Sequence, residues 1–365
     1  MISFFSEKLT EWYAANKRDL PWRKSDNAYK IWVSEIMLQQ TRVDTVIPYY
    51  ERFLEAFPTV YHLAAASQQE VLKCWEGLGY YSRGRNLHHA AKMVVNDFGG
   101  KIPSSYEDIT TLKGIGPYSA AAILSIAFNK RFAVVDGNVI RVMTRYHGIS
   151  EDIRKNSTKK WVQELADELI DDKHPGDYNQ AVMELGALIC TPRNPLCEKC
   201  PVSQNCISFM KMETDIIPYK SPSGKIPHKE IAVGLVVNEK NELLIALRPN
   251  DSMLGGLWEF PGGKREKNET LRETVIRELK EELGVDIEVY SKYQDLKHTY
   301  SHFKITLHAF WCRIRNGKPK ARASQEIIWV SLDNVDQYPF PKANRTLLNN
   351  LKKLEDHNLK RFIER

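Results

Sequence analysis

The sequence of 365 residues lacks the features that mark a secreted or membrane protein. No apolar run is long enough to form a membrane span. The N-terminal stretch from Met1 to Tyr13 carries Glu7, Lys8 and Glu11 within its apolar pattern, which argues against a signal peptide. We therefore expect an intracellular, cytoplasmic protein, nucleoid-associated if it is bacterial, that binds no membrane.

The sequence also has no large excess of charge of one sign and no repeat of fixed period. Its formal net charge is +6, with 42% hydrophobic and 27% charged residues, which is typical of a soluble globular protein. Neither half of the chain is a basic block, so nucleic-acid binding has to be argued from local groups of residues. A chain of this length is expected to contain more than one core.

The composition and the apolar spacing of the sequence change after residue 206. Residues 1–206 have the apolar spacing of three and four that predicts helices. Residues 207–228 are rich in proline, serine and glycine and are predicted to form a linker. Residues 229–365 combine β-branched stretches with one charged helix, which predicts an α+β domain.

Residues 112–138 contain two glycines just before an apolar helical run and an aspartate just after it. Gly114 and Gly116 allow close approach of the backbone, and the N–H groups at a helix start suit an anion such as a phosphate. Asp136 follows a tight turn, where its carboxylate could be held partly out of water. An ordinary turn between two helices with a capping aspartate would give the same pattern.

A second carboxylate lies in an apolar setting nearer the N-terminus. Glu35 has Trp32, Ile36 and Leu38 as neighbours, and burial there would raise its pKa and leave it able to donate a proton. The alternative is a solvated glutamate on a helix surface.

These two stretches together resemble the DNA base-excision glycosylases of the endonuclease III superfamily, in particular adenine DNA glycosylases of the MutY type. The resemblance rests on Leu20–Arg23, on Ser34–Thr41 and on the glycine hairpin followed by Asp136. It implies an all-α helix-hairpin-helix domain with Glu35 and Asp136 as catalytic groups. It also implies supporting residues: Tyr118 and Asn138 at the catalytic groups; Leu20, Trp22, Arg23, Leu38 and Gln180 around the adenine; and Gln40, Thr41, Tyr80, Gly114 and Gly116 on the DNA, with Tyr80 as a wedge between bases.

Tyr118 marks a difference from part of that superfamily. Bifunctional members carry a lysine here, which forms a Schiff base with the opened sugar and leads to strand cleavage. A tyrosine cannot form that imine. The resemblance therefore implies an essentially monofunctional enzyme that only hydrolyses the glycosidic bond.

Four of the six cysteines lie within one short loop, residues 190–206. In an intracellular chain such clustering indicates a metal site, and four thiolates serve zinc or a [4Fe-4S] cluster equally well. The spacing resembles the cluster loop of endonuclease III and MutY relatives, which implies a [4Fe-4S] cluster. Its ligands would be Cys190, Cys197, Cys200 and Cys206.

Residues 263–285 match the whole Nudix signature, so the C-terminal domain resembles MutT and the Nudix fold. Glu278, Glu281 and Glu282 have the spacing of one helix face. Like charges this close repel each other unless a cation such as Mg²⁺ lies among them. A solvated acidic face, eased by basic neighbours such as Arg277, is the alternative.

Two further segments of this domain resemble base-binding loops. Tyr300, Ser301 and His302 resemble the loop that reads 8-oxoguanine opposite the adenine in the MutY type. Phe340–Asn344 resembles the base-binding turn of MutT.

The resemblance covers nearly the whole chain and implies a multidomain protein, an all-α glycosylase domain followed by an α+β Nudix-fold domain. The first hypothesis is a base-excision-repair enzyme. It acts as a monomer on double-stranded DNA and removes adenine mispaired with 8-oxoguanine or guanine, and it could also hydrolyse oxidised nucleotides. The alternative is a nucleotide pyrophosphohydrolase anchored to DNA by its helical domain. A third hypothesis, a non-catalytic DNA-binding redox sensor, needs neither Glu35 nor Asp136.

Overall fold

The computed structural model describes residues 4–222, 224, 226–300, 303–354 and 358–363. The chain divides into two compact units. The first contains Met1–Ala65 and Asn86–Ser223, and the second contains Ala66–Arg85 and Gly224–Arg365. The domain boundaries predicted from the sequence, at residues 206 and 229, stay predictions. Residues Ala66–Arg85 belong to the same compact unit as the C-terminal residues.

The described part of the first unit is helical. Its helices are α1 (Phe4–Asn16), α2 (Ala28–Leu38), α3 (Val43–Ala56), α4 (Val60–Ala65), the main part of α6 (Tyr81–Phe98), α7 (Tyr106–Thr111), α8 (Pro117–Phe128), α9 (Gly137–His147), α10 (Asn156–Leu169), α11 (Pro175–Leu188) and α12 (Ile207–Met210), with short 3₁₀ turns at Pro21–Arg23, Cys197–Lys199 and Ser203–Asn205. A large core cluster joins apolar side chains of α1, α9, α10 and α11.

The ends of the helices around the glycine hairpin follow from local side chains. Asn27 caps α2 by accepting hydrogen bonds from the N–H groups of Tyr29 and Lys30. Pro117 stands at the first turn of α8, where its missing N–H costs nothing. α8 ends at Asn129 in a left-handed conformation, which asparagine tolerates. These boundaries fix the residues on either side of the hairpin.

The second unit combines α5 (Gln68–Trp75) with an α+β domain. Its further elements are β1 (His228–Val236), β2 (Leu243–Leu247), β3 (Trp258–Glu259), β4 (Gly262–Lys264), α13 (Leu271–Leu283), β5 (Asp286–Thr299), β6 (Lys304–Asn316), β7 (Glu326–Val330) and α14 (Lys342–Leu351), with 3₁₀ turns at Val335–Gln337 and Leu359–Phe362.

The strands of the second unit form two sheets. One has the order β4-β1-β6-β5, in which β1 and β6 are parallel and the other pairs are antiparallel. The other is antiparallel with the order β3-β2-β7. A capping box of Thr270 and Glu273 begins α13, whose Val275, Leu279 and Leu283 pack against one core cluster of the sheets.

The predicted fold class is confirmed, since helices occupy the N-terminal region and an α+β domain follows. Within the described residues, no helix is both long enough and apolar enough to cross a membrane.

Candidate active site

Glu35 lies on α2 with its side chain almost entirely buried, at 5% exposure. Burial, and after it the negative charge of Asp136, raises the pKa of Glu35 to about 7. The Tyr118 hydroxyl lies 3.5 Å from Glu35 Oε2 and is oriented to donate to it. The raised pKa expected from the apolar neighbours in the sequence is therefore found, and near neutral pH the carboxyl can carry a proton.

Asp136 is the N-cap of α9. Its Oδ1 accepts a hydrogen bond from the Val139 N–H at 2.7 Å, and its Oδ2 accepts one from Asn138 Nδ2 at 3.1 Å. Burial raises its pKa, and these hydrogen bonds oppose that rise because they favour the charged form. Asn138 is held in turn by Arg141, whose Nη2 donates to Asn138 Oδ1 at 2.9 Å.

One cavity of about 160 Å³ lies between these groups. All nine residues assigned to catalysis or to the adenine pocket line it, although they come from separate parts of the chain: Leu20, Trp22, Arg23, Glu35, Leu38, Tyr118, Asp136, Asn138 and Gln180. The lining also includes Thr41, which the sequence assigned to DNA contact.

Glu184 of α11 lines the same cavity and was not foreseen. Its Oε2 pairs with Arg18 at 2.7 Å and with Arg23 at 3.0 Å, while its side chain is only 1% exposed. Burial alone would raise the pKa of Glu184, but the hydrogen bonds from the two arginines hold it at about 2. Arg23 Nε also donates to Gln180 Oε1 at 3.3 Å. One wall of the cavity is therefore a fixed, charged hydrogen-bonding array.

An open groove adjoins the cavity on the side of the glycine hairpin. Gln40, Thr41 and Gly116 line it, together with Tyr118 and Asp136. Gln40 is exposed and adopts a left-handed backbone conformation, with φ of 56°. The side chain before it, Gln39, donates from Nε2 to Ser119 Oγ at 2.8 Å and so ties the end of α2 to α8.

Gly114 does not line that groove but forms the turn of the hairpin. Its φ is +86°, and a Cβ added there would lie 2.7 Å from Asn86 Cβ. Glycine is required at this position for both reasons. Gly116 has an ordinary φ of −97° and open space around it, so there the absent side chain leaves the start of α8 accessible.

Tyr80, the expected wedge, lies in the second unit rather than in the first. It ends a turn in which Gly77, Gly79 and Tyr80 all have positive φ, of 96°, 79° and 47°. The guanidinium of Arg83 lies 5.3 Å from the centre of the Tyr80 ring.

The four loop cysteines are free thiols and none is fully exposed. Burial, with a contribution from Cys190 and other cysteines of the loop, raises the pKa of Cys200 to about 12, and the pKa of Cys206 is raised for the same reasons. Among the described residues no three His, Cys, Asp or Glu side chains are arranged around a single metal ion. A [4Fe-4S] cluster takes four cysteine thiolates. Four cysteine thiols within one short loop, none of them in a disulfide, fit that group.

The Nudix signature forms α13 and the strand before it. Glu278 and Glu282 lie close enough to the half-buried Glu259 of β3 for their charges to interact, and burial and then Glu259 raise the pKa of Glu282 to about 7. Glu281 does not join them, because its side chain is 61% exposed and pairs with Arg277. Arg277 also binds Glu278, so a cation is already present among these carboxylates.

Of the predicted lesion loop, Ser301 and His302 lie outside the described residues. Tyr300 is half-buried, and its ring stacks on Phe303 with centroids 4.7 Å apart. Burial raises the pKa of Tyr300 to about 12. Asn344, in the segment that resembles the base-binding turn of MutT, is buried, and its Oδ1 accepts a hydrogen bond from the Phe260 N–H at 3.3 Å.

Family models match three segments of the chain. Residues 33–170 match the HhH-GPD superfamily of base excision DNA repair proteins. Residues 190–206 match the iron-sulfur binding domain of endonuclease III, and residues 232–350 match the NUDIX domain. The predicted iron-sulfur loop and Nudix fold are confirmed at this level.

Whole proteins similar to this chain come from distant organisms. The adenine DNA glycosylase of Homo sapiens is 35% identical over 90% of this chain and 70% of its own length. That of Buchnera aphidicola subsp. Schizaphis graminum is 32% identical over 95% of this chain and 98% of its own length. Among solved structures, a thermostable thymine-DNA glycosylase is 32% identical with a TM-score of 0.52, covering 57% of this chain and 95% of that one.

Proposed function

Because the chain belongs to the adenine DNA glycosylase family, we propose that its substrate is adenine paired with 8-oxoguanine or guanine in double-stranded DNA, and that it acts as a monomer inside the cell. The N-glycosidic bond of an adenine stacked in a duplex is out of reach of an active site, so the nucleotide has to be extruded into a pocket. The cavity between α2, α8 and α11 is the receiving site in this proposal.

The observation that carries the proposal is the pair of carboxylates on one cavity with different surroundings. Glu35 has few partners and a pKa of about 7, so it can protonate the adenine ring and make it a leaving group. Asp136 accepts two hydrogen bonds that favour its charged form, so it can stabilise positive charge on the sugar. Glycoside hydrolysis elsewhere uses the same division between two carboxyl groups.

Tyr118 and Asn138 position these two groups in the proposed reaction. The Tyr118 hydroxyl contacts Glu35, and the Asn138 amide contacts Asp136. Because neither side chain has an amine that could bond to the sugar, the reaction ends with hydrolysis and the protein is monofunctional.

The array of Arg23, Gln180 and Glu184 is proposed to recognise the extruded base. Adenine presents ring-nitrogen acceptors and an exocyclic amino donor, and this wall offers guanidinium donors and an amide. Trp22 and Leu38 supply the apolar remainder of the lining.

Cys190, Cys197, Cys200 and Cys206 would hold the iron-sulfur cluster, proposed to be [4Fe-4S]. When bound, the cluster supplies a covalent crosslink between parts of the loop that have little core of their own. Arg145 already joins the loop to α9, because its Nη1 donates to the Thr191 carbonyl at 2.7 Å and lies 3.4 Å from Cys190 Sγ.

The test is release of adenine from a duplex containing a single 8-oxoguanine:adenine pair under single-turnover conditions. Glu35→Gln and Asp136→Asn should each lower the rate by at least about 10²- to 10⁴-fold while leaving lesion-duplex binding largely intact. Glu164→Gln, an exposed carboxylate on α10, is the matched control. Full activity in either active-site variant would refute the assignment of that residue as a catalytic group.

Preference for 8-oxoguanine over guanine is proposed to come from the loop with Tyr300, Ser301 and His302. The two bases differ at only two edge atoms, and good hydrogen-bond readout is worth about 1–3 kcal/mol. Combined Ser301→Ala and His302→Ala should bring the release rates from the two duplexes together, whereas Ser291→Ala on β5 should not. An unchanged rate ratio would make the loop a connector only.

A second activity, hydrolysis of an oxidised nucleotide by the C-terminal domain, is favoured by one observation. Glu259, Glu278 and Glu282 repel one another in a partly buried site, and Mg²⁺ would relieve that repulsion once it displaced Arg277 from Glu278 and Arg248 from Glu259. The full chain should be incubated with Mg²⁺ and 8-oxo-dGTP, watching for monophosphate and pyrophosphate. The second activity would be refuted if the full chain showed no turnover. It would also be refuted if Glu282→Gln turned over the nucleotide as fast as the exposed control Glu239→Gln.

A further inference from the structure

Residues 66–85 are hydrogen-bonded to two turns of the C-terminal domain within the second unit. At the first turn, Gln69 Nε2 donates to the Gly256 carbonyl and Gln69 Oε1 accepts from Trp258 Nε1, both at 3.1 Å. The second turn spans residues 338–345 and contacts Glu76 and Tyr81. This second set of contacts flanks Gly77–Tyr80, which we call the wedge turn.

The wedge turn has a backbone that is costly to hold. Gly77 and Gly79 adopt their positive φ without strain, so the cost falls on Tyr80, which is not a glycine and has φ of 47°. Trp75 Nε1 and Arg83 Nη2 both donate to the Gly79 carbonyl at 3.1 Å. A strained turn of this kind persists only where its surroundings determine its conformation.

Both residues that flank the wedge turn bind the same residue of the C-terminal domain. Glu76 Oε1 accepts from the Phe340 N–H at 3.0 Å, and the Tyr81 hydroxyl donates to the Phe340 carbonyl at 3.3 Å. The Tyr81 hydroxyl also accepts from the Gly77 N–H at 3.0 Å. The wedge turn is therefore held at both ends against the backbone of one residue, Phe340.

An ion pair strengthens the first of these contacts. Arg345 Nε donates to Glu76 Oε1 at 2.6 Å, with both side chains less than one-fifth exposed. The same guanidinium binds the Tyr338 carbonyl and Asp336, each at 2.7 Å. Because the guanidinium is fixed from three sides, it can fix Glu76 in turn.

We propose that Glu76 and Arg345 are positioning residues for extrusion of the adenine: through them the 338–345 turn holds Tyr80 ready to enter the base stack. This inference rests on the proposed function, because it takes Tyr80, the wedge that the sequence resemblance implies, as the residue that enters the base stack during extrusion of the adenine. In this proposal the second unit acts on extrusion of the adenine and not on hydrolysis of the glycosidic bond. Neither residue touches the cavity that contains Glu35 and Asp136.

The experiment compares two substrates in single-turnover release of adenine. One duplex contains a normal 8-oxoguanine:adenine pair, and the other contains the same adenine in an unpaired bulge, where extrusion is already largely done. Glu76→Gln and Arg345→Met should each slow release from the paired duplex by about tenfold, as expected for loss of one coupled contact. Release from the bulged duplex should change by less than about twofold.

Asp336→Asn is the matched control, because asparagine keeps an oxygen that can accept from Arg345 Nη1 and the contact of Arg345 with Glu76 stays in place. Asp336→Asn should not slow release of adenine from the paired duplex more than release from the bulged duplex. Tyr80→Ala should reproduce the selective loss, and adding Arg345→Met to it should cause little further loss, since both changes act on one step. A 2-aminopurine beside the adenine reports stacking and should show slower unstacking in both positioning variants.

Equal loss on both substrates, or no loss on either, would overturn the inference. Thermal unfolding of each variant shows whether it folds, and the bulged substrate gives its chemical rate even if paired DNA is processed slowly. If the unaltered protein released no adenine from either substrate, the proposed function itself would fail, which is a different result from wild-type activity with insensitive variants.

Discussion

Replacing Glu35 by glutamine should stabilise the protein at neutral pH while it removes activity. Glutamine resembles the protonated carboxyl, which is the form that burial favours. The pKa of Glu35 is raised from 4.5 to about 7 in the folded protein. A difference of that size corresponds to about 3 kcal/mol between the two protonation states.

The direction of the pH dependence follows from proton binding. Between pH 4.5 and about 7 the folded state holds a proton on Glu35 that the unfolded state has released, so the wild-type protein loses stability as the pH rises. This contribution is present below pH 4.5 and is lost through about pH 7. Glu35→Gln does not titrate, so its advantage should be near zero at pH 4.5 and reach about 3 kcal/mol above pH 7.

Thermal unfolding of the wild type and Glu35→Gln from pH 4.5 to pH 8 measures this advantage. At roughly 2–4 °C for each kcal/mol, an advantage of about 3 kcal/mol should raise Tm above pH 7 by on the order of 6–12 °C. Glu164→Gln, which alters an exposed carboxylate, should show no such trend. A Tm difference that stays constant with pH, or a variant less stable than wild type above pH 7, would refute the reasoning.

Three further predictions concern other residues of the first unit. Tyr118→Lys should gain a borohydride-trappable adduct with abasic DNA, because only an amine forms the imine; efficient trapping of the unaltered protein would contradict the monofunctional assignment. Gly114→Ala should lower the free energy of unfolding by about 1–3 kcal/mol, because φ is +86° and the new Cβ meets Asn86; chemical denaturation tests this, with Gly116→Ala as the unstrained control. Glu184→Ala should lower the free energy of unfolding by about 3–5 kcal/mol, because it leaves two arginines without their carboxylate. Since the pKa of Glu184 is about 2, this loss should be full above pH 4.5 and shrink as the pH falls toward 2. A loss that does not change with pH would argue against charge as its cause.

The surroundings of the two carboxylates could be predicted because they are set by neighbours in the sequence. The apolar neighbours of Glu35 on α2 turn that helix into the interior, where it packs against α8, and Asp136 is held by groups of the turn that follows it. The helix-hairpin-helix and α13 follow from local signals of the same kind: glycines, a capping box and apolar spacing.

The residues that were missed depend on partners far away in the sequence. Glu184 binds Arg18, which is 166 positions away, and no periodicity reports such a pairing. Glu259 was missed for the same reason, since only tertiary packing brings β3 close to Glu278 and Glu282 of α13. Helical spacing predicted that Glu281 shares their face, but Glu281 lies at its edge and is exposed.

The two oxygens of Asp136 are not chemically equivalent in this structure. Oδ1 is tied at 2.7 Å to the backbone N–H of Val139, so moving it would unwind the first turn of α9. Oδ2 is held at 3.1 Å by the side chain of Asn138, which Arg141 holds in turn, so releasing Oδ2 breaks side-chain contacts and leaves the helix intact. An approach to the sugar, whether as a charge or as a bond, is therefore left to Oδ2. At the start of α9, the two oxygens of the Asp136 carboxylate therefore have different roles: Oδ1 caps the helix, and Oδ2 faces the reaction.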